Sequence, residues 1–141
     1  MARFSYLLPK LTEQNIGDFV EQEEDYIKDL NKDQMYNDGA LNVDNPQKER
    51  YAKSTIAQKK KRAKYKKTDF ITLRWMGDFY DSLRVLRFRD YFTINSDSLI
   101  WANYLEPQER FKKALGLTDE SKGKLQIRLK NRAIRWLKSR K

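Results

Sequence analysis

The hydrophobic pattern of this chain is clearest towards its two ends, and both ends predict helices. In residues 12–32, apolar side chains recur close to helical spacing, with Thr12 as the N-cap and Glu13 in the first turn. The apolar positions there are Ile16, Phe19, Val20, Tyr26, Ile27 and Leu30. Thr118 begins a second predicted helix near the other end. Its apolar face consists of Leu125, Leu129, Ala133, Trp136 and Leu137, widened by Ile127 and Ile134.

The first helix is acidic on the side that its apolar residues leave free, and two interpretations follow. Its carboxylates are Glu21, Glu23, Glu24 and Asp25. In the first interpretation the helix packs on the core and the acidic side faces water. In the second, the acidic side docks on a basic strip of a neighbouring copy, an arrangement that guides association more than it tightens it.

The centre of the chain predicts a small antiparallel sheet. Residues 69–75 are rich in β-branched and aromatic side chains, which favours a short strand or an extended arm. Gly77 then marks a turn. Apolar residues and arginines alternate after it and an apolar run returns, so the pattern predicts a hairpin over residues 82–96. Two adjacent apolar residues, Val85 and Leu86, interrupt the alternation and predict a β-bulge.

The remaining segments carry weaker patterns. Asn45 and Pro46 predict the start of a helix that continues to about Lys61. Residues 46–67 nevertheless hold too few apolar side chains to anchor themselves, and we expect them to form a basic lead-in or arm. Residues 107–115 predict a short helix before the C-terminal one.

Together these elements predict an α+β fold, in which a small antiparallel sheet is packed by N-terminal and C-terminal helices and carries extended arms. A chain of 141 residues has enough apolar surface for one core, so a single domain over residues 1–141 is predicted. Its parts are the acidic helix 12–32, the basic lead-in 46–67, and a core of the sheet and C-terminal helix over 68–138.

Charge divides the chain into the same parts. The net charge of +10 is distributed as an acidic head over residues 1–45, a strongly basic middle over residues 46–67 and a moderately basic body from residue 68 onwards. This separation suits a chain whose copies meet through unlike surfaces, because opposite charges then face each other across the contact.

Composition excludes most catalytic chemistry. The chain has no Cys and no His, which removes thiolate metal sites, disulfides, and the Ser-His and Cys-His arrangements together. Asp78 and Asp81 follow Gly77 and are the best carboxylate pair for a metal or a shared proton, although Asp is also an ordinary turn residue. We therefore predict no enzyme activity, no cofactor and no metal. The apolar run at residues 4–8 is too short to enter a membrane, and we expect a soluble protein made in the cytoplasm.

A run of lysines and arginines is the candidate nucleic-acid site. Clustered cations gain affinity for phosphates by releasing counterions, and Tyr65 within the run is placed to stack on an exposed base. The alternative is a solvated run that meets anionic partners only non-specifically. No base-reading motif accompanies it. The candidates are Lys59, Lys60, Lys61, Arg62, Lys64, Lys66 and Lys67.

A second set of residues is predicted to serve contacts between proteins. Its aromatic members flank the Gly77 turn or follow the hairpin, where they suit core or interface anchors. Its arginines are predicted to point outward from the hairpin, where they serve an interface or DNA or are simply solvated. The candidates are Trp75, Tyr80, Arg84, Arg87, Arg89 and Trp101.

Three stretches in this order resemble a known class of proteins. They are residues 73–83 around Gly77, the end of the hairpin at residues 94–97, and residues 114–120 before the C-terminal helix. They look like small virion proteins of tailed phages that infect Bacteroides-type bacteria, including crAss-like phages. More distantly, they are similar to the neck and tail-completion proteins of long-tailed phages. The resemblance covers about residues 34–137.

The motif that carries this resemblance is short. It rests on Gly77, Tyr80 and Ser82, while Met76 stands where those proteins usually have threonine.

The resemblance implies a non-catalytic subunit. It would form a ring at the head-to-tail junction or upper tail, with the hairpin, arm and termini bridging adjacent copies. Its partners would be further copies of itself and portal, neck or tail proteins, with non-specific contact to packaged DNA and none to a membrane. It would be part of the virion, assembled in the host cytoplasm. The alternative is a small basic DNA-binding protein.

Overall fold

The computed structural model describes residues 2–3, 13–74 and 77–139, and it has an α+β fold. A small antiparallel sheet is packed by helices from both ends of the chain. The helices are α1 (Glu13–Gln22), α2 (Glu24–Tyr36), α3 (Lys53–Arg62), α4 (Asp78–Asp81) and α5 (Asp119–Ser139). The strands are β1 (Ala2–Arg3), β2 (Leu83–Arg87) and β3 (Tyr91–Ser96), and a π-helical turn spans Trp101–Leu105.

The hairpin is confirmed, but the bulge within it is not. Strands β2 and β3 pair without interruption from Leu83 opposite Ser96 to Arg87 opposite Phe92. Val85 lies partly buried on the inner face, whereas Leu86 lies on the outer face and is 42% exposed. The strand therefore keeps its strict alternation, and Leu86 is an exposed apolar residue rather than a sign of a bulge.

The strand predicted at residues 69–75 is not present in residues 69–74, the part of it that the structure describes. Residues 69–74 contain no strand, Leu73 has a positive φ of 61°, and the Ile71 amide donates to the Glu49 carbonyl at 2.7 Å. This segment packs on the lead-in instead of joining the sheet. The third strand of the sheet is β1, which pairs with β3 on the side opposite β2.

The acidic helix is two helices. Glu23 separates α1 from α2 with φ of −104° and ψ of 20°, and its side chain is 3% exposed. α2 then runs past the predicted end at residue 32 to Tyr36. There Gly39 adopts φ of +64° and the Ala40 amide returns to the Gln34 carbonyl at 2.9 Å, which ends the helix. The predicted N-cap at Thr12 lies outside the described residues.

Two further helix predictions are corrected. The lead-in helix α3 begins at Lys53 rather than at Pro46, so residues 46–52 are irregular. The short helix predicted over 107–115 is absent, and turns occupy that region after the π-helical turn.

The core joins both ends of the chain through apolar and polar contacts. α5 buries Leu125, Leu129 and Ala133 as predicted, but Ile127, Ile134 and Leu137 are at least half exposed. Two buried amides of α2 hold the segment that leads into α5. Asn31 bonds the backbone of residues 114 and 116, and Gln34 bonds the backbone of residues 116 and 118 and the Ser121 hydroxyl. No helix in the described ranges has the length and apolarity to cross a membrane.

Candidate contact surface

Two aromatic interface candidates are core residues. Tyr80 is 1% exposed, and its hydroxyl donates to the Thr72 carbonyl oxygen. Burial raises the pKa of the Tyr80 phenol, so it stays protonated and keeps this bond. Trp101 is 3% exposed and stacks on Phe79 with ring centroids 5.6 Å apart. Both side chains anchor the hairpin base, and the third aromatic candidate, Trp75, lies outside the described residues.

Of the three hairpin arginines, Arg87 does not point outward. Its guanidinium lies against α1 and donates to Asp18 and Glu21 at 3.0 and 3.1 Å. A Cβ on Gly17 would lie 2.3 Å from the Arg87 Nε, so the absence of a side chain at Gly17 makes room for this contact. Burial alone would lower the pKa of Arg87, but its hydrogen bonds to Glu21 and Asp18 and the charges of these carboxylates raise it overall. Arg87 thus ties the hairpin to the acidic helix.

The other two arginines are exposed as predicted. Arg84 pairs with Asp97 at 3.0 Å across the outer face of the hairpin, and Arg89 lies in the turn between β2 and β3. Exposed pairs of this kind contribute little to stability. Both arginines are therefore available for contacts with other molecules.

Lys59 is buried and cannot belong to a nucleic-acid surface. Its ammonium group donates to the Tyr51 hydroxyl at 3.0 Å, the Lys67 carbonyl at 2.7 Å and the Thr72 hydroxyl at 3.3 Å. It also lies 4.8 Å from the centre of the Tyr51 ring. A buried ammonium needs three acceptors, and this one has them. Lys59 fastens α3 to the chain that follows it.

Tyr65 is likewise occupied within the chain. The guanidinium of Arg74 lies 3.8 Å from its ring centre and also lies close to the rings of Tyr36 and Tyr80, at 5.1 and 4.8 Å. Arg74 Nη2 also donates to the Tyr65 hydroxyl at 3.1 Å. This cation-π cluster joins the lead-in to the core. Arg74 therefore occupies one face of the Tyr65 ring, and stacking of Tyr65 on a base stays a prediction.

The rest of the basic run is split between exposed and partly covered positions. The side chain of Lys67 is 28% exposed and lies between the rings of Phe70 and Tyr36, at 4.5 and 5.5 Å. The other five members are exposed and have no carboxylate partner within 4 Å among the described residues. They are Lys60, Lys61, Arg62, Lys64 and Lys66.

Glu23, at the centre of the acidic head, forms its contacts with another helix of the same chain. Glu23 accepts hydrogen bonds from Arg128 at 2.6 Å and from Arg132 at 2.9 Å, both on α5. Burial would raise the pKa of Glu23, but the hydrogen bonds and charges of Arg132 and Arg128 lower it overall. Exposed carboxylates remain at Asp25, Asp29 and Asp33, one turn apart along α2.

An apolar cleft of about 370 Å³ opens beside the Gly77 turn. It lies where the lead-in, the segment before α4 and the region after the hairpin meet. Gly77 adopts φ of +99° there, which allows the chain to turn into α4 at the cleft wall. Two exposed arginines, Arg50 and Arg110, and the exposed Asp78 accompany the apolar lining. The main apolar lining residues are Tyr51, Ile71, Leu73, Phe79, Ile100, Leu105 and Phe111.

The chain beside this cleft exposes large apolar side chains. Leu99 is 75% exposed, Tyr104 is 67% exposed and Ile100, which lines the cleft itself, is 47% exposed. Aromatic and aliphatic groups next to a concave apolar site, with arginines beside them, are typical of surfaces that bind another protein. We refer to the cleft together with Leu99, Ile100 and Tyr104 as the contact surface.

The predicted carboxylate pair that follows Gly77 lies on α4. Asp78 and Asp81 lie three residues apart on α4, and the described residues contain no group of three or more carboxylates that could hold a metal. Sequence reasoning did not single out Leu99, Ile100 or Tyr104. The sequence feature that could have indicated them is a pair of adjacent aliphatic residues that lies outside every predicted helix and strand.

Comparison with known proteins gives no relative. No protein-family model matches the chain, and neither a characterised protein nor a solved structure is significantly similar to it.

Proposed function

We propose that this protein is a structural subunit that acts by contact with other proteins and carries out no catalysis. The contact surface is the observation that carries the proposal, because it leaves large apolar side chains in water beside an apolar cleft. Exposed patches of this kind in soluble chains mark sites of association. The lack of His and Cys supports the same class of function.

Within that class, we propose a ring-forming adaptor at the head-to-tail junction or upper tail of a tailed phage. This finer assignment rests on the resemblance around Gly77, Tyr80 and Ser82. The folded positions of these residues are compatible with it, since Gly77 turns the chain, Tyr80 is buried beneath it and Ser82 precedes β2. The partners would be further copies and portal, neck or tail proteins of the same virion.

Replacing Ile100 by Asp tests the contact surface. Ile100 is 47% exposed, so the chain should still fold, while a carboxylate at the cleft would oppose an apolar partner. We expect assembly, measured by native mass spectrometry and electron microscopy with and without the portal or tail partner, to weaken about tenfold or more. The matched control is Ile127→Asp on the exposed side of α5, which should assemble normally. A wild-type chain that stays monomeric and ignores those partners would refute the proposal.

A second candidate function is DNA binding, favoured by the five exposed cations between Lys60 and Lys66. Replacing all five by Gln should weaken binding to duplex DNA and reduce the slope of log affinity against log salt by about four to five, since each phosphate contact contributes about 0.9. The replaced residues are Lys60, Lys61, Arg62, Lys64 and Lys66.

A charge-matched control variant separates a specific basic surface from the overall positive charge. It replaces five exposed cations elsewhere by Gln, namely Lys112, Lys124, Lys130, Arg135 and Lys138. Equal losses of binding in the two variants, or no loss in the first, would exclude a DNA site on the basic run. Lys59 is left unchanged in both variants because it is buried.

A further inference from the structure

We propose that the contact surface receives the tip of the β2–β3 hairpin from a second copy of this chain. The proposal deepens the proposed function and rests on it, because it names the occupant of the cleft. Four features of the tip support it: its apolar face, its rigid support, its distance from the cleft of the same copy and its charges.

The hairpin tip exposes its own apolar side chains on one face. Strand alternation places Leu86 and Phe88 together on the outer face, where they are 42% and 43% exposed. Phe88 stacks on Tyr91 across the turn, with centroids 4.7 Å apart and planes 15° apart. The tip thus presents a compact knob of one aliphatic and two aromatic side chains, a composition that is enriched at the centres of interfaces.

The knob is held in a fixed orientation before any contact is made. On the inner face, Arg87 is bonded to two carboxylates of α1, and the Phe88 amide closes the turn by donating to the Tyr91 carbonyl at 2.8 Å. Ordering these groups on binding would cost free energy, and here folding has already ordered them. A rigid apolar knob suits insertion into a preformed cleft.

A copy cannot fill its own cleft with its own tip. The cleft lies at the base of the hairpin, because Phe79 comes just before β2 and Ile100 just after β3. The tip lies at the other end of β2, which has five residues and is therefore ~16 Å long. The two surfaces must meet between different copies, head to tail. Such a contact repeats from copy to copy, and it closes into a ring if the rotation between successive copies adds up to a full turn.

Charge complementarity favours this occupant over the apolar face that α5 exposes within the described part of the chain. The cleft carries charges of both signs in Arg50, Arg110 and Asp78, and the tip does so in Arg89 and Asp90. The exposed Arg89 can pair with the exposed Asp78.

The rival face on α5 lacks this complementarity. Its exposed residues Ile127, Ile134 and Leu137 are surrounded by cations. Those cations would face the two arginines of the cleft, and like charges in contact oppose binding.

Photo-crosslinking tests the proposal directly. A benzoylphenylalanine at position 88, in a mixture of isotopically light and heavy chains, should form crosslinks between copies that map to residues 50–55 or 99–111. The same probe at position 127 is the control and should not reach those residues. Crosslinks from position 88 that map between copies to any other surface would overturn the proposal.

Charge exchange gives a second, independent readout. By sedimentation velocity, Phe88→Ser should weaken self-association about tenfold or more. Arg89→Asp should weaken it by placing a carboxylate opposite Asp78, and combining it with Asp78→Arg should restore it. If Ile100→Asp blocks assembly while Phe88→Ser does not, the proposed function stands and this occupant is wrong. If the wild-type chain associates with neither itself nor virion partners, the proposed function and the hairpin tip as occupant are both wrong.

Discussion

Truncating Lys59 to Ala is expected to lower the free energy of unfolding by about 3–4 kcal/mol. The change removes a fully buried side chain, which leaves a cavity, and it deprives the Lys67 carbonyl of its side-chain donor. The Tyr51 hydroxyl loses one of its two donors and keeps the Thr72 amide. Against a typical domain stability of about 5–15 kcal/mol this is a severe loss. Urea unfolding followed by circular dichroism would measure it.

The control for this variant lies next to it in the sequence. Lys60→Ala is exposed and should change stability by no more than about 0.5 kcal/mol. Lys59→Met restores most of the volume but no donor, so it should lie between Lys59→Ala and the wild type. Equal stabilities of Lys59→Ala and Lys60→Ala would contradict the buried position of Lys59. The pair also separates folding from DNA binding, since only Lys59→Ala should impair binding through loss of structure.

Replacing Glu23 by Gln is expected to cost about 2–3 kcal/mol. The neutral amide keeps the shape of the side chain but loses the charged hydrogen bonds to Arg128 and Arg132 that join the α1–α2 junction to α5. The cost stays below that of a fully buried pair because the Arg128 side chain is 51% exposed and can turn to water. Thermal or urea unfolding at neutral pH would measure it.

The same contact predicts a dependence on pH. The pKa of Glu23 is lower in the folded chain than its ordinary value of 4.5, so its stabilisation is fully present above that value. It is lost as the pH falls through the folded pKa, and the Glu23→Gln variant should lack this part of the acid-side decline. Asp25→Asn, whose carboxylate is 97% exposed, is the control and should follow the wild type within about 0.5 kcal/mol. Identical acid-side slopes in Glu23→Gln and wild type would contradict the assignment.

Local patterns predicted the hairpin and the C-terminal helix because both elements follow their own periodicity. Strand alternation and helical spacing relate residues that are two to four positions apart, so both patterns can be recognised without knowing the rest of the fold. The same reasoning failed for residues 69–74. Their β-branched and aromatic side chains favour a strand, but a strand needs a partner edge. This segment packs on the lead-in instead, where the Ile71 amide donates to the Glu49 carbonyl, and β1 is the strand that joins the sheet beside β3.

The candidate sites were predicted less well than the elements, because the roles of charged residues depend on distant partners. Lys59 and Lys60 lie in the same run of lysines and cannot be told apart from their neighbours in sequence. Only Lys59 is buried, and its hydrogen-bond acceptors come from residues 51, 67 and 72. Arg87 looked like another outward arginine until α1 brought Asp18 and Glu21 beneath it.

The contact surface was missed for a related reason. An exposed apolar residue and a core residue have the same sequence signal, so Leu99 could not be told from Trp101 before folding placed one in water and the other in the core.

The sequence by itself determined the class of fold, the hairpin and the C-terminal helix, because the periodicity of apolar residues is a local property. It also determined which side-chain chemistry is available, because composition does not depend on the fold. Only the tertiary structure decided which charges are used inside the chain and which apolar groups remain outside. Those outcomes depend on which groups share a small volume after folding. The cleft beside Gly77 exists because three segments that are distant in sequence meet there.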